Sequence, residues 1–389
     1  MNRFSSIFSQ LLQLFPRNEF QRAVNDHQAE RHARGFTSWN QFVAMLFCQV
    51  ARANSLREIR NGLKSCEGKL VHLNCTAPSH ATLAYANQHR PWELYRTLFF
   101  QLFDRCRGTL DNHPQGRKKF RFKNKLVSLD SSVIDLCLSL FDWAHFRQAK
   151  GAVKLHLLLD HDGYLPKYAV ISDGKTADIT VARQFWFEPG TILVIDRGYN
   201  DYRWFASLTE RKVLFITKQK DKAKYRVIEQ RPVPQNRNIQ KDEIIILTGV
   251  GAYEKCPYSL RRIEAVDPST GEITVFLTNH FTLGASTVVA VYKDRWGIET
   301  FFRYLKQNLK IKTFVGTSSN AVHTQIWTAL IALLILRFLQ VSSRFTWSLS
   351  NLVAVLRLNL FTYRDLWAWL DKPFDTPPLS QLGQQLQYI

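Results

Sequence analysis

Through residues 1–112, apolar side chains recur at intervals of three and four, as in SWNQFVAMLFCQVARA, and glycine is sparse. That spacing predicts helices. Ser38 and Ser55 are placed to cap two successive helices, Asn61-Gly62 to end the second, and Ser79 to open a third, SHATLAYANQ. Helix, break and Ser-led helix is also how a helix-turn-helix unit reads, with His80, Thr82, Tyr85, Asn87 and Arg90 as its polar face. Ordinary helical packing gives the same pattern, and both readings stand at this point.

From Lys125 the period shortens. KLVSLD is a β-branched, apolar run ending in Asp130, and AVKLHLLLD and PKYAVISD form a hairpin about a turn at Asp160–Gly163. TADITVARQFWF reads as a helix, TILVID as a buried strand ending in Asp196, DYRWFASLTER as a helix and KVLFIT as a strand. Strands leading into βαβ alternation predict an α/β domain with a mixed sheet. Residues 218–288 break that rhythm with EIIILTG, LRRIEAVD and EITVFLTN, a β-rich insertion; helical spacing returns at Ser286–Lys312 and in the last segment. The expected division is 1–112, helical and DNA-binding; 113–217, first part of the core; 218–288, insertion; 289–345, second part of the core; and 346–389, a helical region.

Composition narrows the partner. Fifty-two Lys and Arg against 32 Asp and Glu leave a net charge of +20, which suits the phosphate backbone of double-stranded DNA. Six of the nine residues from Arg117 to Lys125 are basic, so Arg117, Lys118 and Lys119 are read as a linker tracking phosphates. The apolar run Ile326–Leu336 is shorter than the ~18 residues of a membrane span and is expected to be a buried core helix, with no membrane partner. The N-terminal residues lack a long apolar core followed by a small-residue cleavage site and are not expected to be a signal peptide. The six cysteines include no C-x-x-C pair, which fits reduced thiols in the cytoplasm and no zinc site.

Candidate chemistry lies in three carboxylates. In an α/β sheet functional groups gather at the carboxyl ends of strands. Parallel neighbours would bring Asp130 and Asp196 close enough to repel, a conflict that a divalent cation removes. Two oxygen-liganded Mg²⁺ ions (or Mn²⁺), roughly 3.5–4 Å apart, activate water and stabilise a leaving oxygen. The third carboxylate is in YKDRWGIETFFRYLK. On a helix, relative to Tyr292, Arg295 falls at about −60°, Glu299 at about −20° and Lys306 at about −40°. One stripe would thus offer a metal ligand, Glu299, beside Tyr292, Arg295 and Lys306 for DNA phosphates. A surface Arg295–Glu299 pair is the plainer reading.

The pattern Y-(2)-R-(3)-E-(6)-K, at Tyr292, Arg295, Glu299 and Lys306, resembles the motif of the bacterial insertion-sequence-four family of DDE transposases. LVSLDSS and VIDRGY are similar to that family's two aspartate strands, and FSQLLQLFPRNEF, SLREIRNGLKSCEGKL and HATLAYANQHRPWELY to the helical leader of one branch. The resemblance implies a ribonuclease H-like core interrupted by a β-rich insertion, and cut-and-paste transposition at terminal inverted repeats by a homodimer at the nucleoid. It also implies hairpin formation at the cut end. The family's base-stacking tryptophan has no counterpart between Trp204 and Trp296; one of Tyr253, Tyr258, Phe276 and Phe281 stacking in its place is one reading, and a different hairpin step is the other.

Other residues are set aside. Asp160-His161-Asp162 is read as a solvated turn, His156 has no assigned role, Asp135 points away from the site, and the C-terminal tryptophans are core or dimer contacts. Two rivals remain: a ribonuclease H-like nuclease or resolvase, and a silent DNA-binding remnant of a transposon.

Overall fold

The computed structural model describes residues 5–31, 33–110, 119–136, 141, 143, 145–147, 150–233, 235, 238–309, 311 and 313–375. Arg117, Lys118, Cys137 and residues 376–389 lie outside this set.

The chain opens with helices α1 (Ile7–Leu12), α2 (Arg17–Asp26), α3 (Ser38–Ala51), α4 (Leu56–Ser65), α5 (Glu67–Leu70), α6 (His80–His89) and α7 (Glu93–Leu110). Their starts follow local chemistry. The side chains of Ser6, Thr37, Ser55 and Ser79 each accept an N–H of the first turn, satisfying one of the donors a helix start leaves free. The cap of α3 is therefore Thr37, one residue before the serine expected; α4 runs through Asn61-Gly62 to Ser65.

Ten strands follow with their helices: β1 (Leu126–Leu136), β2 (His145–Arg147), β3 (Lys150–Asp160), β4 (Leu165–Asp173), α8 (Asp178–Ala182), β5 (Ile192–Ile195), α9 (Tyr202–Glu210), β6 (Leu214–Lys218), β7 (Tyr225–Gln230), β8 (Ile239–Leu247), α10 (Ala252–Lys255), β9 (Leu260–Val266) and β10 (Ile273–Thr278). Then come α11 (Ala285–Asp294), α12 (Trp296–Asn308), α13 (Ser319–Ser342), α14 (Leu349–Asn359) and α15 (Leu366–Asp371). The helix expected over TADITVARQFWF is short, ending at Ala182.

Two compact units result. One is helical and gathers residues 1–117, 135–143 and 303–389. Its centre is α13, packed on α3, α6, α7 and α14. This helix is long and apolar enough to cross a membrane, but 89% of its most apolar window is buried within the fold. It therefore reads as the core of the helical unit. On α6, Asn87 is buried and bonded to Gln41 Nε2 at 2.9 Å, and Arg90 holds the Phe36 carbonyl. Of the polar face read from the sequence, His80, Thr82 and Tyr85 are exposed, while Asn87 belongs to the core.

The other unit, residues 118–134 and 144–302, is the α/β unit. Its strands lie in the order β2-β3-β1-β5-β6-β10-β9-β8-β7, with β4 on β3. The stretch β4-β3-β1-β5-β6 is the ribonuclease H-like order, with β1, β5 and β6 parallel. Strand β10 pairs antiparallel with β6, so β7–β10 continue the same sheet. Alternation sorts the central strands onto two faces. Val127, Leu129, Leu193 and Ile195 enter a core shared with Val181, Phe205 and Leu208. Leu126, Ile192, Val194 and Ile216 enter another beneath Val288, Val291 and Tyr292 of α11.

In the outer strands a buried ion pair replaces apolar packing. Arg261 grips Asp242 with Nε–Oδ1 at 2.8 Å and Nη2–Oδ2 at 2.6 Å, both side chains being almost fully buried. Removing one partner strands the other charge away from water. Asp242→Ala should cost about 3–5 kcal/mol in urea unfolding; a loss near zero would show that Arg261 finds solvent instead.

Candidate active site

The parallel register fixes the two aspartates. Leu126, Val127, Ser128 and Leu129 pair with Ile192, Leu193, Val194 and Ile195. The next step along both strands sets Asp130 beside Asp196, at the ~4.8 Å spacing of neighbouring strands. Both occupy the parity of Leu126 and Ile192, the face under α11. Asp196 follows the last residue of β5, as expected. Asp130 does not end its strand, contrary to the sequence reading: β1 continues through SSVIDL to Leu136. What stops at that level is its partner β5, because Ser131–Leu136 keep β-compatible residues while the chain after Ile195 turns into Arg197-Gly198-Tyr199. Asp135 is exposed.

Above this face the helix is broken once. Arg295 is the C-cap of α11, with φ −52° and ψ −29°, and α12 begins at Trp296. Those dihedrals are still helical, so the angular spacing of Tyr292, Arg295 and Glu299 survives the break. Tyr292 Oη lies 3.4 Å from Asp196 Oδ1. The Arg295 guanidinium spans the remaining carboxylates, Nη1 at 3.4 Å from Asp130 Oδ2 and Nη2 at 2.6 Å from Glu299 Oε1. Its Nε is buried without a hydrogen-bond partner. Lys306 lies on α12 seven residues beyond Glu299, half-buried. Lys119 sets its ammonium 2.5 Å from Asp294 Oδ1.

Electrostatics show what this cluster lacks. Burial pushes the Asp130 carboxyl up to about 6, opposed by the Ser131 N–H and Arg295 and reinforced by Asp196 and Glu299. Two of the three carboxylates share one guanidinium and the third meets a phenol, so negative charge is in excess within this cluster. Hard oxygen donors with unbalanced charge suit a divalent cation of the magnesium or manganese type. Among the described residues, however, no three acidic, His or Cys side chains close on one point. Arg295 lies between two of the carboxylates.

The residues set aside as a solvated turn are buried beside this site. Asp160 and His161 are almost wholly enclosed. His161 Nε2 is 2.7 Å from Ser128 Oγ and its Nδ1 is 2.6 Å from Asp294 Oδ2. Tyr164 Oη donates to the same carboxylate at 2.7 Å. Burial alone would raise Asp294; the bonds from His161, Lys119 and Tyr164 overcome it and hold the carboxyl down at about 2. Thus Ser128, two residues before Asp130, is tied through His161 to Asp294, the residue before Arg295. The signal was present as HDGY following a strand, but turn chemistry suggested solvent. His156 is buried too; burial lowers it to about 4, and Nε2 bonds Ser172 at 2.8 Å.

Gly297 completes the fit. A Cβ there would meet Tyr164 Cε1 at 2.7 Å. Tyr164 is itself held at φ 53°, a left-handed conformation uncommon for a non-glycine residue.

Residues 121–335 match the family described as "Transposase DDE domain", and residues 3–74 match "Domain of unknown function (DUF4372)". The chain is 31% identical over 308 residues to "Putative transposase y4zB" of Sinorhizobium fredii, covering 78% of this chain and 82% of that one. It is 27% identical over 263 residues to "Probable transposase for insertion sequence element IS5377" of Geobacillus stearothermophilus, covering 67% of each. Among solved structures, the piggyBac transposase synaptic complex with hairpin DNA aligns with 99% of this chain and 84% of its own, at 9% identity and a TM-score of 0.44. That last likeness is too loose to support any argument. The chain belongs to the DDE transposase family, whose members cleave DNA and transfer its strands.

Two outcomes follow from this geometry. Gly297→Ala should destabilise by about 1–3 kcal/mol through the Tyr164 collision, read as a lowered Tm together with slower DNA cleavage; an unchanged melt would mean that the ring moves aside freely. For Asp130 the folded carboxyl titrates above its unfolded counterpart, so native protein binds the extra proton between about 4 and 6 and loses stability as pH rises through that window. In chelator, Asp130→Asn should therefore melt higher than the parent protein above pH 6 and equally below pH 4. A lower melt at pH 8 would show that the Arg295 pairing outweighs burial.

Proposed function

We propose that this protein catalyses cut-and-paste transposition of an insertion sequence, with Asp130, Asp196 and Glu299 as the carboxylates that hold two Mg²⁺ ions (Mn²⁺ serving in their place). The observation that carries this reading is the β1–β5 register, which sets two half-buried aspartates side by side under the helix junction bearing Arg295 and Glu299. Bound divalent ions would supply a Lewis acid and an activated water at that point. The chain's own groups do the rest. In this reading Arg295 and Tyr292 take phosphate oxygens from the DNA strand, and Arg295 leaves Asp130 to do so. Lys306 and the basic stretch Arg117–Lys119 extend the contact along the backbone. The helical N-terminal region recognises terminal inverted repeats, and two copies pair the ends of the element.

The nuclease and silent-remnant readings differ from this in outcome. On DNA carrying the terminal repeats, hairpinned or flush-cut ends support the transposase, internal nicking alone supports a nuclease, and binding without cutting supports a remnant. Asp130→Ala, Asp196→Ala and Glu299→Ala should each abolish Mg²⁺-dependent end cleavage, at least a thousandfold on the scale of about 4 kcal/mol, while gel-shift binding to the ends persists. Normal cleavage by Glu299→Ala would remove that residue from the site.

A further inference from the structure

The pairing of β1 with β5 ends at Leu129 and Ile195. Asp130 and Ser131 therefore stand on a stretch of β1 that runs on past the end of β5. Asp130 takes a bond from this stretch: the Ser131 N–H donates to its Oδ1 at 2.8 Å. Ser131 has the opposite parity, so its hydroxyl lies on the other face of the sheet, with Val127, Leu129 and Val181 of α8. There it donates to Oδ1 of Asp178, the first residue of α8, at 2.9 Å.

Asp178 is itself held. Lys154 of β3, mostly buried, sets its ammonium 3.2 Å from the same Oδ1 and donates to the Thr176 carbonyl at 2.9 Å. His156, two residues on and so on the same face of β3, places Nδ1 3.8 Å from that oxygen and Nε2 2.8 Å from Ser172 Oγ. Burial lowers His156 to about 4, so the ring is neutral at pH 7 and Lys154 is the counter-charge of Asp178. Tyr199, buried in the turn after Asp196, lies close to the same point: burial first, then the charges of Asp130 and Asp178, push its phenol up. Anchoring the turn after β4 needs only Lys154, Thr176 and Asp178. The bond to Ser131 does something else, because it joins that turn to the residue whose N–H holds the Asp130 carboxylate.

We propose that Asp178 is a positioning residue for Asp130: by gripping the Ser131 hydroxyl behind the sheet it fixes the Ser131 N–H, and with it the Asp130 carboxylate, in the orientation that receives a divalent cation. Asp178 touches neither the ion nor DNA. Groups that orient metal-binding side chains govern affinity nearly as much as the side chains themselves, and here the strand carrying the carboxylate has run past its neighbour β5, so its orientation is set by what grips it from behind. This deepens the transposase reading and rests on Asp130 being a metal ligand.

The test separates metal affinity from folding. Mn²⁺ binding to the DNA-free full chain is measured by electron paramagnetic resonance, and the Mg²⁺ concentration giving half-maximal single-turnover end cleavage is measured beside it. The proteins compared are the parent, Asp178→Ala, Ser131→Ala, the double variant and Ser131→Thr. Asp178→Ala and Ser131→Ala should each weaken Mn²⁺ binding and raise the Mg²⁺ requirement about tenfold. The double variant should be no weaker than Asp178→Ala, because both changes remove one and the same bond. Ser131→Thr keeps the hydroxyl and should restore both readouts. If Asp178→Ala lowers the Tm but leaves Mn²⁺ affinity and Mg²⁺ requirement at the parent's values, the residue is merely structural and the assignment is overturned. Penalties that multiply in the double variant overturn it equally. Failure of the underlying reading looks different: Asp130→Ala would then bind Mn²⁺ as tightly as the parent.

Discussion

The parallel hydrogen-bonded register of β1, β5 and β6 is the constraint on which the candidate site depends. It places Asp130 against Asp196 without requiring either side chain to attract the other. Sheet pairing, driven by apolar residues on both faces, forces two carboxylates together that would otherwise stay apart. Burial raises the Asp130 carboxyl, and the neighbouring Asp196 and Glu299 add to the rise. Everything above the sheet answers it. Arg295 lies across Asp130 and Glu299, and Asp294 ties that junction back to β1 through His161 and Ser128. A one-residue slip would turn the aspartates to the other face and disconnect them from both.

Much of this could be read from single segments. The change of period near Lys125, the β3–β4 hairpin, the end of β5 at Ile195 and the angular relation of Tyr292, Arg295 and Glu299 are local properties, visible to spacing and turn chemistry. Which residue stands beside which is a different kind of fact. Asp130 looked like a strand end because LVSLD stops being apolar there, yet it is the partner strand that stops. His161 and Tyr164 sit in a glycine turn that ordinarily faces water; their burial comes from α11 and α12, more than 120 residues later in the chain. Local pattern carried the elements, and the long-range pairings carried the site.

The helical unit shows the same division. Ser55 and Ser79 cap their helices as their sequence context implies, while Asn87 looks like a surface residue and is a core hydrogen-bond partner of Gln41. The apolar run around Ile326–Leu336 becomes part of a longer helix than the run itself, buried by helices from both ends of the chain.

Arg295 gives the acidic cluster a built-in counter-charge, and this sets the standing of any ion that binds there. In small metalloproteins the ion is part of the fold, and chelation unfolds the chain. Here the guanidinium already occupies the space between Asp130 and Glu299, and the sheet beneath is closed by apolar packing. On the proposed reading an ion at this place would be a reagent, not a girder, and its arrival would be a contest with an arginine the chain never loses.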